Sequence, residues 1–168
     1  SVLRIVLSDE TLRELLPKDY IVYPTITFSA FHPDTQYIFC EERVIKNGLD
    51  SDWNSRILVW AYLNELTVDE SLLLFDMETY KKLGYMDEWS NSTEELRRTF
   101  EDCSLDFSQW IRGVQRGGQF MYGINHPMPA ALTYLARQLA KREFPSHARS
   151  LHEPNREPKD YLSHIVWP

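Results

Sequence analysis

The sequence predicts a helix-rich α/β single domain with a small, mainly parallel sheet, and three stretches predict it. The early run "YIVYPTITFSAF", residues 20–31, is dense in β-branched and aromatic residues and reads as strand. From Trp53 onward helical periodicity dominates. Late in the chain "QFMYGI", residues 119–124, reads as a short strand leading into the amphipathic "AALTYLARQLAKR", residues 130–142.

Taken in order, Ser8 is a helix N-cap for "DETLRELL", whose Leu12, Leu15 and Leu16 share a face and which Pro17 ends. "QYIF", residues 36–39, continues the extended chain after the turn at 32–34, and "KNGLDSD" is a turn centred on Asn47-Gly48. "WNSRILVWAYLNEL", apolar at 53, 57, 60 and 61 and often between, predicts a helix buried on most sides. Thr67 with Glu70 and Ser92 with Glu95 each have the spacing of a capping box. "METYKKL" stops at Gly84 and "DFSQWIRGVQR" at Gly117-Gly118, where a left-handed C-cap favours glycine. Leu132, Leu135, Ala136 and Leu139 mark the apolar face of the late helix. The Pro-rich polar stretch 145–160 predicts a loosely packed arm.

At 168 residues the chain can bury roughly 70% of its unfolded surface as one domain, 1–168. The net charge of −7 lacks the basic footprint that nucleic acid or an anionic membrane needs, so neither is an expected partner. No apolar run reaches the roughly 20 residues of a membrane helix, so no transmembrane segment is expected, and a cytoplasmic location fits. Cys40 and Cys103 have no paired spacing and read as reduced thiols. Cys40 lies close enough in sequence to the His-Pro-Asp turn to keep a nucleophile reading open.

Three places suit chemistry. In His32-Pro33-Asp34 the proline forces the histidine toward an extended backbone, which aims the imidazole; the same residues also make a plain turn. In Asn125-His126-Pro127 a histidine between a strand and a helix has an amide neighbour that can orient it or hold an oxyanion, whereas a purely structural Asn125 would cap the helix. Arg112 and Arg116 lie one helical turn apart before two glycines and can grip a phosphate, although helix ends collect cations in any case. His32, Asp34 and His126 also have the two-His, one-carboxylate order of non-haem iron sites, but those need a β-rich barrel, so no metal is expected.

The ordered set "FSAFHPDTQYIF", "NSRILVWAYLNELTVDESLLLFDMETYKKLGYMDEW", "QFMYGINHPMPAALTYLARQLA" and "YLSHIVWP" resembles the WcbI family of capsular polysaccharide biosynthesis proteins, from about Ser8 to the end. The resemblance implies an α/β fold with SGNH- or Rossmann-like layering. It also implies coenzyme A binding and acetyl transfer from acetyl-coenzyme A to a sugar hydroxyl of a surface polysaccharide. Under it, His32 or His126 is the base, Asp34 orients an imidazole and Asn125 donates to the oxyanion; Arg112 and Arg116 fall to the cofactor. Phe31, Tyr37 and Trp89 are candidates to stack on a sugar ring.

Members of that family also carry a Gly-Asn-Cys-Gln turn near the N-terminus, which this sequence lacks. The expectation is therefore that the chain is the later part of a longer protein, inactive alone and prone to self-associate as a homo-oligomer. An SGNH-like esterase and a non-catalytic sugar-binding or assembly module are the alternatives. His32 and His126 are expected in one cleft, because both end strand-like segments aimed at the same sheet edge.

Overall fold

The computed structural model describes residues 21–48 and 51–146; the expected helix after Ser8, and the polar arm from residue 147 on, lie outside the described residues. Pro24, Ile26 and Phe28 are buried and alternate with exposed Tyr23, Thr25 and Thr27, so the run read as strand is extended. It enters no sheet ladder. Its Phe28 N–H bonds instead to Ile124 O across 2.8 Å.

The strands are β1 (Thr35–Tyr37), β2 (Phe39–Cys40), β3 (Arg43–Val44), β4 (Trp53–Ser55), β5 (Met121–Gly123) and β6 (His126–Pro127). They form three antiparallel pairs, β1 with β4, β2 with β3 and β5 with β6. This corrects the expected mainly parallel sheet, and no SGNH or Rossmann layering is seen among the described residues. The reason is connection length. Two residues join β2 to β3 and β5 to β6, enough for a hairpin but far short of the dozen or so a parallel crossover requires.

The helices are α1 (Arg56–Leu63), α2 (Val68–Leu72), α3 (Met77–Lys82), α4 (Glu88–Asp102), α5 (Phe107–Gln115) and α6 (Pro129–Glu143), with a 3₁₀ turn at Tyr85–Asp87. The Thr67–Glu70 capping box forms as expected, and Gly84 takes the left-handed conformation (φ 74°) that stops α3. Ser92 caps nothing. It is buried inside α4, which starts four residues earlier, and its hydroxyl faces Ser29 and Glu88. A side chain that can cap in sequence here found a tertiary partner instead.

Two apolar faces also differ from expectation. Only Ile57 and Ala61 of α1 are buried, while Leu58, Trp60, Tyr62 and Leu63 are exposed. On α6 the buried stripe runs through Ala131 and Leu135, leaving Leu132 and Ala136 outside. The core sits between α4, α5, α6 and β5, with Leu96, Phe100, Trp110, Phe120 and Met121 essentially inaccessible and Phe28 docked among them. Cys103 belongs to this core, whereas Cys40 is exposed on β2.

Candidate functional site

The chain leaves the extended run at Ser29 and turns. His32 N–H donates to Ser29 O (2.8 Å) and Thr35 N–H to His32 O (3.0 Å), while the Ser29 hydroxyl donates to Glu88 at the start of α4. These bonds fix the His-Pro-Asp turn against α4. The His32 imidazole is half-buried, with Nε2 3.4 Å from the amide nitrogen of Gln119, and Gln119 is itself held by Met121 O at 2.6 Å.

Burial disfavours the imidazolium and moves the His32 pKa below its ordinary 6.5. The unfolded chain therefore binds a proton more readily than the native one. This contribution to stability is complete above pH 6.5 and is lost as pH falls through the native pKa. Melting temperature followed from pH 7.5 to 5 should fall less in His32→Asn than in the parent; identical slopes would refute a buried, neutral His32.

Asp34 is a structural pin. Its Oδ1 accepts from Ile57 N–H (3.1 Å) and from the Tyr85 hydroxyl (2.8 Å), and its carbonyl accepts from Arg56 N–H (3.0 Å). These partners tie the turn to the N-terminus of α1, and neither side-chain partner is an imidazole. Burial first, and then the Asp34 carboxylate, push the Tyr85 phenol far above its ordinary pKa, so it stays a donor. Among the described residues no three of His, Cys, Asp and Glu converge as metal ligands.

Around His126 the polar groups form one connected set. His126 Nδ1 lies 2.7 Å from Asn125 Oδ1, Asn125 Nδ2 donates to the Tyr37 hydroxyl (3.1 Å), and Trp53 Nε1 donates to the same oxygen (2.9 Å). The amide oxygen can only accept, so the neutral imidazole carries its proton on Nδ1 and its lone pair on Nε2. Asn125 thus orients His126, and the N-cap of α6 is Met128, with no side-chain capping bond. Trp53, buried on β4, also meets the His126 ring edge to face at 4.9 Å.

This packing needs glycine at 123. A Cβ there would sit 2.6 Å from the Trp53 ring. Gly123→Ala should therefore displace the indole that holds Tyr37, costing about 1–3 kcal/mol in denaturant unfolding. A change below about 0.5 kcal/mol would mean that the ring does not lie there.

Both imidazoles are held by the β5–β6 hairpin, His32 through Gln119 at its start and His126 on its return strand. Arg112 and Arg116 close α5 just ahead of that start; both are exposed, and among the described residues neither makes an ion pair. Arg116 precedes Gln119 by three residues, a reach of at most about 10 Å. Phe31 and Trp89 pack against each other and against Phe28, with Trp89 still 42% exposed. A surface depression on the outer side of α4, lined by Asn91, Glu94, Glu95 and Arg98, touches none of these groups.

Trp53, Tyr85 and Gln119 escaped sequence reasoning, and only the chain's path in space joins them to the histidines. The model of the family described as polysaccharide biosynthesis enzyme WcbI matches residues 3–143. The chain belongs to the WcbI family. Its role thus lies in polysaccharide biosynthesis, as the resemblance implied. No curated protein and no solved structure matches the chain. Among the described residues no helix is long and apolar enough to cross a membrane.

Proposed function

We propose that the chain carries the base, His126, for transfer of an acetyl group from acetyl-coenzyme A to a sugar hydroxyl in polysaccharide biosynthesis, a reaction of the complete protein to which it belongs. The observation that carries this reading is the Asn125–His126 bond, which leaves the basic lone pair on Nε2. His126 Nε2 accepts the proton of the acceptor hydroxyl as that oxygen bonds to the acetyl carbon, and it returns the proton to the departing sulfur. The Tyr37 oxygen already accepts from two donors, so its own O–H is the group to hydrogen-bond the carbonyl oxygen as negative charge gathers there.

Acetyl-coenzyme A supplies a thioester already activated toward attack. Arg112 and Arg116 suit its phosphates, being two exposed cations one turn apart, without an ion-pair partner among the described residues, in a chain of net charge −7. His32 and Gln119, which meet three residues beyond Arg116 in sequence, are the nearest polar pair along the chain.

Coenzyme A should raise the melting temperature of the chain, and Arg112→Glu with Arg116→Glu should abolish the rise. Acetyl transfer to a sugar acceptor is then measured with acetyl-coenzyme A. Ester hydrolysis without coenzyme A would favour an esterase, and no melting shift with coenzyme A would overturn the reading.

A further inference from the structure

The base and the carbonyl donor of the proposed site stand on separate ladders, Tyr37 on β1–β4 and His126 on β5–β6. Each ladder is only two or three residues long, too little to hold a side chain rigidly by itself. A shift of about 1 Å between reacting groups can cost a hundredfold in rate, so their spacing needs a brace. Asn125 touches both groups but is exposed, where water competes for its bonds. Trp53 touches both and is only 7% exposed. It sits directly opposite Tyr37 in the β1–β4 register, and its indole N–H donates to the Tyr37 hydroxyl at 2.9 Å. A buried indole needs an acceptor, and a main-chain carbonyl serves Trp110 in the core; Trp53 instead uses a hydroxyl of the site. Its ring reaches the imidazole because of the hairpin register. Gly123 is the cross-strand partner of His126, and a Cβ at 123 would lie 2.6 Å from Trp53 Cη2 and 2.8 Å from Cζ3. The indole thus takes the vacant side-chain place beside His126, with 4.9 Å between ring centroids. Its backbone is held as well: Trp53 O accepts from Asn47 Nδ2 at 2.8 Å, and Trp53 N–H donates to Ser51 Oγ at 3.2 Å.

We propose that Trp53 is a positioning residue for the transfer, setting the Tyr37 O–H and the His126 lone pair at one fixed spacing. The inference rests on the acetyl-transfer reading above and adds to it a residue that acts through two others. With its oxygen held by the indole on one side and by Asn125 on the other, the Tyr37 phenol has only its O–H left to turn toward the carbonyl oxygen. The indole packed against the imidazole meanwhile limits the swing of that ring. Loss of this brace therefore lowers kcat and leaves KM nearly unchanged, the mark of an interaction used in the transition state.

The test is a double-mutant cycle in the complete protein, with acetyl-coenzyme A and a sugar acceptor. Trp53→Phe keeps an aromatic ring beside His126 and removes the N–H. It should lower kcat about tenfold with KM within about twofold, and Tyr37→Phe, which removes the oxyanion donor, should lower kcat about a hundredfold. Added to Tyr37→Phe, Trp53→Phe should cost no more than about twofold further, since the N–H then has no hydroxyl to hold. A loss of packing alone would instead add in full, to about a thousandfold. NMR gives a readout that depends neither on turnover nor on the folding of Trp53→Phe. The His126 ring protons should carry the ring-current displacement of the adjacent indole, and the Trp53 indole N–H resonance should move when Tyr37→Phe removes its acceptor. Additive losses, an undisplaced His126 and an indole resonance indifferent to Tyr37→Phe each overturn the inference alone. A complete protein with no transfer overturns the acetyl-transfer reading, and this inference with it.

Discussion

Trp110→Ala is expected to lower the unfolding free energy by about 4 kcal/mol or more in urea titration. Truncating a fully buried tryptophan typically costs about 3–5 kcal/mol through lost transfer energy and the cavity left behind. Trp110 has no accessible surface, and its ring packs against Phe100 of α4, Phe107 of α5 and Phe120 ahead of β5. Its indole N–H also donates to Ala131 O at 3.0 Å, pinning the first turn of α6; that bond is worth about 1 kcal/mol more. A domain of this size has only about 5–15 kcal/mol to lose. Trp110→Phe keeps most of the ring contacts and should cost markedly less. Equal losses in the two variants would show that the bond to Ala131, not the packing, dominates.

The elements that sequence reasoning placed well are those whose signals are local. The Thr67 cap, the Gly84 stop and the β5 strand each depend on residues a few positions apart, and each formed where expected. Ser92 shows the limit of such signals. It has a capping spacing, yet Ser29, 63 residues away, drew its hydroxyl into a partly buried cluster. The apolar run in α1 misled for a related reason, because apolar periodicity shows what a helix can bury but not whether this chain supplies the cover. Parallel pairing was expected along with the α/β layering that the family resemblance implied, and two-residue connections exclude it for two of the three ladders.

The candidate site divides the same way. Asn125 and His126 are neighbours in sequence, so their bond was within reach of a local reading. The role of Asp34 was not. Its partners, Ile57 and Tyr85, lie 23 and 51 residues away, and they give the carboxylate to the α1 terminus. The Tyr37 hydroxyl, where Trp53 and Asn125 converge, was likewise out of reach of a local reading. Hydroxyl and indole hydrogen bonds of this kind have no spacing rule in sequence.

His126→Ala should cut acetyl transfer roughly a hundredfold or more, the usual scale for loss of a positioned base, while the melting temperature changes little because the ring is half-buried. A matching fall in stability would instead make His126 a packing residue against Trp53. Asn125 gives the sharper test, since it acts through His126 and its replacement can be read in a pH profile. In Asn125→Asp the amide becomes a carboxylate in contact with Nδ1, which stabilises the imidazolium and raises the His126 pKa. Less neutral base is then present at a given pH, so transfer should fall near neutrality and recover as pH rises past the new pKa. The alkaline plateau should stay below the parent value, because the carboxylate cannot replace the Asn125 donation to Tyr37, but above that of Asn125→Ala, because the Nδ1 proton still has an acceptor. Asn125→Ala removes that acceptor altogether and should lower the rate at every pH, with no recovery on the alkaline side. If Asn125→Asp and Asn125→Ala lower the rate equally at all pH values, Asn125 does not act by orienting His126, and the base must be sought at His32.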